Sequence, residues 1–241
     1  MDVYRKRPHL TKLEVLSPSQ QWQAATRPRP EPADKVVHLN CAGSYRLSSD
    51  ETLSRAALSA AQHQRYARAL VILNYLIARN PLATHYSNRG LVYLWSGRAH
   101  QALADCDRAI AIDPELDQAY NNRANCNAAL GQWDKAIADY EQAIDLNPFN
   151  VRARLNLGIT LRDLGRYDEA LEVFDEAMLF RQLAEHLYAE RGRTYHQRGD
   201  WNCAIADYNR ALSAASSVYS TTTERLQKRV QGWLNELLPT N

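Results

Sequence analysis

Asn88, Asn122 and Asn156 stand 34 residues apart. A side-chain amide both donates and accepts hydrogen bonds, so a row of them can pair with the N–H and C=O groups of an extended chain, whatever that chain's side chains are. Asn121 and Asn125 flank the middle member, and Arg152 and Arg193 add guanidinium groups suited to carboxylates. The competing expectation is that these amides bond to one another inside the protein. Either way the chemistry is recognition, not bond cleavage.

Residues that would break bonds do not form sets. The chain has no Gly-x4-Gly-Lys-Ser/Thr phosphate loop, no Gly-x-Gly-x-x-Gly fingerprint, no His-Glu-x-x-His metal motif and no Gly-x-Ser-x-Gly elbow. Acid pairs such as Asp168-Glu169 and Asp175-Glu176 read as solvated helix faces. The cysteines at 41, 106, 126 and 203 lack a Cys-x-x-Cys pair and do not cluster with histidines, so no metal and no cofactor is expected. They read as buried free thiols. The expected protein is not an enzyme.

Positioning groups without a sealed pocket requires an extended framework, and the register of the chain supplies one. Asn80-Pro81, Asp113-Pro114 and Asn147-Pro148 recur every 33 or 34 residues. Ala69, Ala102, Ala136, Ala170 and Ala204 keep the same beat, as do the turn glycines Gly97, Gly131, Gly165 and Gly199. Five units follow: 50–82, 83–116, 117–150, 151–184 and 185–218. Each reads as two helices, A and B. In the third, Tyr120, Ala124 and Asn127 share one face of helix A, and Ala136, Ile137, Tyr140, Ala143 and Ile144 form the apolar stripe of helix B. One such hairpin cannot bury its apolar face alone, so the units must stack into a solenoid.

The repeat resembles the tetratricopeptide (TPR) family, on Tyr86, Gly90, Tyr93, Ala102, Ala109 and Pro114, and again on Trp133, Ala136, Tyr140, Ala143 and Pro148. Leu157, Gly158, Tyr167, Ala170, Phe174 and Ala177 carry it in the fourth unit. The resemblance implies an all-α, right-handed α-solenoid of five helix–turn–helix repeats. Two departures stand out. Gln64 occupies the turn-glycine position of unit one, and unit four ends Phe180-Arg181-Gln182 without the proline stop. A tighter or helix-continuous junction is expected near 180–186.

Both ends of the chain fall outside the repeat. Residues 222–238 read as a helix with Thr221 and Glu224 as its capping box and Leu226, Val230, Trp233, Leu234, Leu237 and Leu238 as its stripe, so 219–241 is expected to cap the solenoid. Residues 1–49 form a basic extension, with eight Lys or Arg against four acids and five of the nine prolines. The rest of the chain holds 21 basic and 23 acidic residues. Residues 1–35 read as a tail that is mobile or ordered by a partner. Val36, Val37, Leu39, Tyr45 and Leu47 are expected to pack on the first repeat, which a capping box at Ser48 and Glu51 opens. No apolar run reaches the roughly 18 residues of a membrane span. The amino terminus has no secretory pattern, so the cytosol, with room for attachment beside a membrane complex, is the expected compartment.

On a helix, positions 4, 8 and 11 of helix A fall near 40°, 80° and 20°, and positions 2, 5, 6, 9, 12 and 13 fall between about 120° and 240°. The TPR resemblance implies that the second set lines a concave groove. That set contains Arg55, Asn88, Asn121, Asn122, Asn125, Arg152, Asn156, Arg162, His186, Glu190, Arg193 and His196. The candidate peptide-binding residues are Asn88, Asn121, Asn122, Asn125, Arg152, Asn156 and Arg193. The carboxylate clamp of Hsp70 and Hsp90 co-chaperones is not expected, because from unit three its positions read Asn121, Asn125, Asn156, His186 and Glu190, without the cations. The expected function is a scaffold that holds an extended segment of a partner protein, as an assembly or accessory factor for a multisubunit complex, photosynthetic if the source is. The alternatives are RNA binding or regulation through the basic tail, with Tyr4 and Trp22 stacking on bases, and a tail that folds back into the groove as a displaceable inhibitor.

Overall fold

The computed structural model describes residues 49–216 and 221–237, and these form eleven α-helices and no strand. Five hairpins come first: α1 (Asp50–Gln62) with α2 (Tyr66–Arg79), α3 (Ala83–Trp95) with α4 (Ala99–Ile112), α5 (Asp117–Ala129) with α6 (Trp133–Leu146), α7 (Val151–Asp163) with α8 (Tyr167–Met178), and α9 (Ala184–Arg198) with α10 (Trp201–Ser216). A last helix, α11 (Thr221–Leu237), follows. From α3 onward each first helix packs on its own partner and on both helices of the preceding hairpin. The first helices therefore touch from unit to unit, whereas the second helices are splayed, which bends the stack and puts α1, α3, α5, α7 and α9 on its inner side.

The core lies where the periodicity places it. Leu70, Leu73 and Leu76 are buried on α2, Ala136, Ile137, Tyr140 and Ala143 on α6, and Ala170, Leu171, Phe174 and Ala177 on α8. Removing these stripes from water contributes about 25 cal/mol per Å2 of apolar surface. Small residues at the eighth position of each first helix let the paired backbones approach. At Gly158 the approach is close enough that a Cβ would lie 2.5 Å from the ring of buried Phe174.

The turn inside each hairpin needs one left-handed residue. Gly97, Gly131, Gly165 and Gly199 supply it with φ of 79°, 74°, 78° and 98°. In unit one Gln64 adopts the same conformation, at φ 62°. The amides of Arg65 and Arg98 reach back to the carbonyls of Ala60 and Tyr93 in the same way, at 2.9 and 2.8 Å. A side chain in this region costs about 1 kcal/mol. Gln64→Gly should therefore stabilise the protein by about 0.5–1 kcal/mol, read as a rise in Tm of about 1–4 °C.

Two local expectations need correction. The cap of α1 is Ser49 rather than Ser48: its Oγ accepts from the Thr52 amide at 3.2 Å, and Glu51 pairs with Arg55 instead of closing a box. This register turns Leu53, Ala57 and Ala61 inward. Ser48 and the rest of 1–48 lie outside the described residues, as do Leu238 and the side chain of Thr221. The second correction is the junction after unit four, which is neither tighter nor continuous. Five residues, 179–183, separate α8 from α9, against three or four at the other junctions. Without a proline stop the chain turns on left-handed Arg181 and Leu183, both at φ 53°. Aromatic packing closes the gap: Phe180 meets Phe149 edge-on at 5.6 Å, and the Arg154 guanidinium lies 4.9 Å from the Phe180 ring centre while bonding to the Pro148 carbonyl.

Candidate functional site

The inner face carries the predicted polar residues, and three of them meet. Asn156 Nδ2 donates to Asn121 Oδ1 at 3.2 Å, and Asn121 Nδ2 in turn reaches Asn122 Oδ1 at 3.5 Å. Asn122 Nδ2 donates to the carbonyl and Oγ of Ser87, at 3.3 and 3.0 Å. A chain of amides thus runs across α3, α5 and α7. Bonding within the array therefore engages the side-chain nitrogen of Asn122 twice and that of Asn156 once. Asn125 is also engaged, accepting from the Tyr140 hydroxyl at 2.7 Å. Asn88 is half-buried, Arg152 is exposed, and neither makes a hydrogen bond or ion pair with a described residue.

Arg193 is not brought to the amide row. It pairs with Glu236 of α11 at 3.0 Å, donates to His196 Nδ1 at 3.2 Å and lies 5.2 Å from the Trp233 ring centre. Beside it, buried Arg162 donates to Glu190 at 2.5 Å and to Asp163, and Arg229 of α11 takes the other Glu190 oxygen at 2.6 Å. The inner face thus has two parts: an amide row with Asn88 and Arg152 over units two to four, and a self-neutralised ionic network where α9 meets α11. In this arrangement α11 packs on α10 and α9 as the first helix of a sixth unit would, burying Leu226, Val230 and Leu234.

Burial alone would raise the Glu190 carboxyl, but Arg162 and Arg229 outweigh it and hold the group below the usual glutamate range. Burial raises Asp163, and Arg162 only partly offsets this. Burial and then Arg193 lower His196, which accepts as the neutral ring. A lowered folded-state value adds stability above the unfolded value and loses it as pH falls. His196 does so below an unfolded value of 6.5, and Glu190 below 4.5, while Asp163 acts in the opposite sense. The Tm should decline as pH drops from 7 to 5, and His196→Asn should flatten that first decline. An unchanged slope in the variant would exclude His196 as its origin.

A second set of polar residues escaped the motif search. Arg89 grips Asp105, Arg123 grips Asp139 and Arg191 grips Asp207, each through two nitrogens to two oxygens and each across 16 residues. The third nitrogen of each arginine reaches the preceding hairpin, at Asn74, Asp107 and Asp175 respectively. These clamps fix the stacking angle between units and so the curvature of the inner face. The signal was present as Arg and Asp at the seventh and twenty-third positions of units two, three and five. It stayed hidden because Leu157 and Val173 replace the pair in unit four.

Among the described residues, stacked helix pairs with one inner face define a helical-repeat interaction scaffold. Among the described residues no group of three or more His, Cys, Asp or Glu could hold a metal, and no helix is long and apolar enough to cross a membrane. Two family models, both described as tetratricopeptide repeat, match residues 81–148 and 123–183. Residues 81–183 therefore carry tetratricopeptide repeats, and proteins built from these repeats are in general non-enzymatic protein-interaction modules. Its fold is similar to that of a thermophilic TPR protein from Thermus thermophilus, at TM-score 0.68 and 20% identity over 78% of this chain and 100% of the other. It is also similar to MamA, at TM-score 0.55 and 18% identity over 67% and 95%. A chain of the APC/C hetero-tetramer Cut9-Hcn1 matches at TM-score 0.65 and 22% identity over 75% of this chain and 36% of that one.

Proposed function

We propose that the protein is a non-enzymatic adaptor that holds an extended segment of a partner protein along its inner face, as an assembly or accessory factor of a multisubunit complex in the cytosol. The observation that carries this reading is the amide row beside two polar side chains left without a described partner. Asn88 can donate and accept along a peptide backbone, and Arg152 can take a carboxylate of the segment. The Asn156 carbonyl oxygen adds an acceptor, while Asn121, Asn122 and Asn125 shape the floor and hold it rigid. Preorganisation of this kind lowers the entropic cost of binding. Arg193 would contribute once its contact with Glu236 opens.

RNA binding is the weaker reading. Neutralising phosphates needs a field of free cations, and on the inner face Arg162 and Arg193 are already paired with carboxylates. In-cell cross-linking with mass spectrometry identifies the partner segment. Asn88→Ala combined with Arg152→Ala should then weaken that segment's affinity by roughly tenfold or more, the loss of two or three hydrogen bonds, one of them charged. Cross-links mapping to the outer helices, or an affinity unchanged in the double variant, would place the binding surface elsewhere.

A further inference from the structure

Unit one has no preceding hairpin among the described residues, yet it presents the face that receives one elsewhere. In units two, three and five the seventh residue of the unit (Arg89, Arg123, Arg191) reaches back to the second helix of the unit before. In unit one that residue is Ala56, which is exposed. The same face continues through Ser59, Ala60 and His63 and bounds, with Arg65 and Arg68, a cleft of about 340 Å3. Val71, one turn beyond Arg68 on α2, is 48% exposed. Among the described residues, a surface of small side chains bounded by His63, Arg65 and Arg68 is therefore left uncovered at this end. At the other end α11 covers the stack and turns Arg225, Lys228, Gln231 and Asn235 outward.

We propose that residues 36–47 of this chain lie across this face, with Val36, Val37 and Leu39 against Ala56, Ser59 and Ala60. The segment joins α1 directly at Ser49, so its local concentration at the cleft is high. Thirteen residues from Val36 to Ser48 span up to roughly 40 Å when extended, and α1 is only about 20 Å long. Seven of the twelve residues 36–47 are apolar, and the segment carries a single Lys or Arg, Arg46. A second copy fits less well. Two such faces apposed would bring their basic rims together, and the polar outer face of α11 offers no apolar surface for head-to-tail stacking.

Hydrogen exchange read by mass spectrometry on the full chain tests this, with Ala60→Arg filling the cleft and Leu39→Ser weakening the segment. Amides of 36–47 should exchange at least tenfold more slowly than those of 5–30, and both variants should abolish the difference. Leu39→Ser lies outside the repeats and leaves their folding intact, so it decides the matter if Ala60→Arg fails to fold. Equal exchange of 36–47 and 5–30 in the unmodified chain overturns the proposal, as does protection that survives both variants. Protection that grows with protein concentration, together with a dimer mass by light scattering, would assign the face to a second copy instead.

Discussion

Gly158→Val should destabilise the protein by about 3 kcal/mol or more, the upper end for overpacking a core. A Cβ at this position would lie 2.5, 2.7 and 2.9 Å from three ring atoms of Phe174. That ring is fully buried at the centre of a cluster with Leu157, Leu161, Ala170 and Ala177, so it has no exposed rotamer to take. The clash can be relieved only by separating α7 from α8, which strips contacts from both neighbouring units. With about 2–4 °C per kcal/mol for a chain of this size, the Tm should fall by roughly 6–12 °C. Phe174→Leu should restore part of the loss in the Gly158→Val background while costing stability on its own. A Tm within 2 °C of the unmodified protein would show that the helix pair is looser than its packing indicates.

Asp207→Ala is the second large effect. This carboxylate is 1% exposed and accepts from two nitrogens of Arg191 and one of Arg210. Breaking a buried pair from one side leaves the other charge without compensation, which costs about 3–5 kcal/mol. Because Arg191 keeps Asp175 and is partly exposed, the lower part of that range applies, about 3 kcal/mol. The loss should be local at first. Hydrogen exchange should accelerate in α9 and α10 before α3 to α6, since a solenoid is held by nearest-neighbour interfaces. Replacing both partners, Arg191→Met with Asp207→Leu, should recover much of the loss, because the penalty comes from an orphaned charge rather than from a missing attraction. A double variant no more stable than Asp207→Ala would contradict this.

The hairpins could be read from the chain because their signals are local. A left-handed turn residue, a proline stop and an apolar residue every three or four positions each act within one helical pair. The observed helices accordingly begin and end close to the unit boundaries. Gln64 shows the limit of that reading: it looked like a departure, yet it takes the glycine conformation because stacking of α1 on α2 overrides its own preference. The loop after Phe180 shows the same limit in reverse. Loss of a proline removed the local stop, and the turn came instead from Phe180 packing on Phe149 and Arg154, some 26 to 31 residues earlier in the chain.

The site divides in the same way. Period and helical angle were enough to place Asn88, Asn121, Asn122, Asn125, Arg152, Asn156 and Arg193 on one face, since a repeat of fixed length returns the same position to the same side. Which of those groups are spent internally depended on distances between units, and no single repeat contains that information. Asn122 reaches Ser87 across 35 residues, Asn156 reaches Asn121 across 35, and Arg193 meets Glu236 across 43. The sequence by itself therefore determined the repeat, the helices and the shared polar face of the first helices, all set by contacts within about one unit. Only the tertiary structure decided which polar groups remain open, because hydrogen bonds and ion pairs between units form once the stacking angle is fixed.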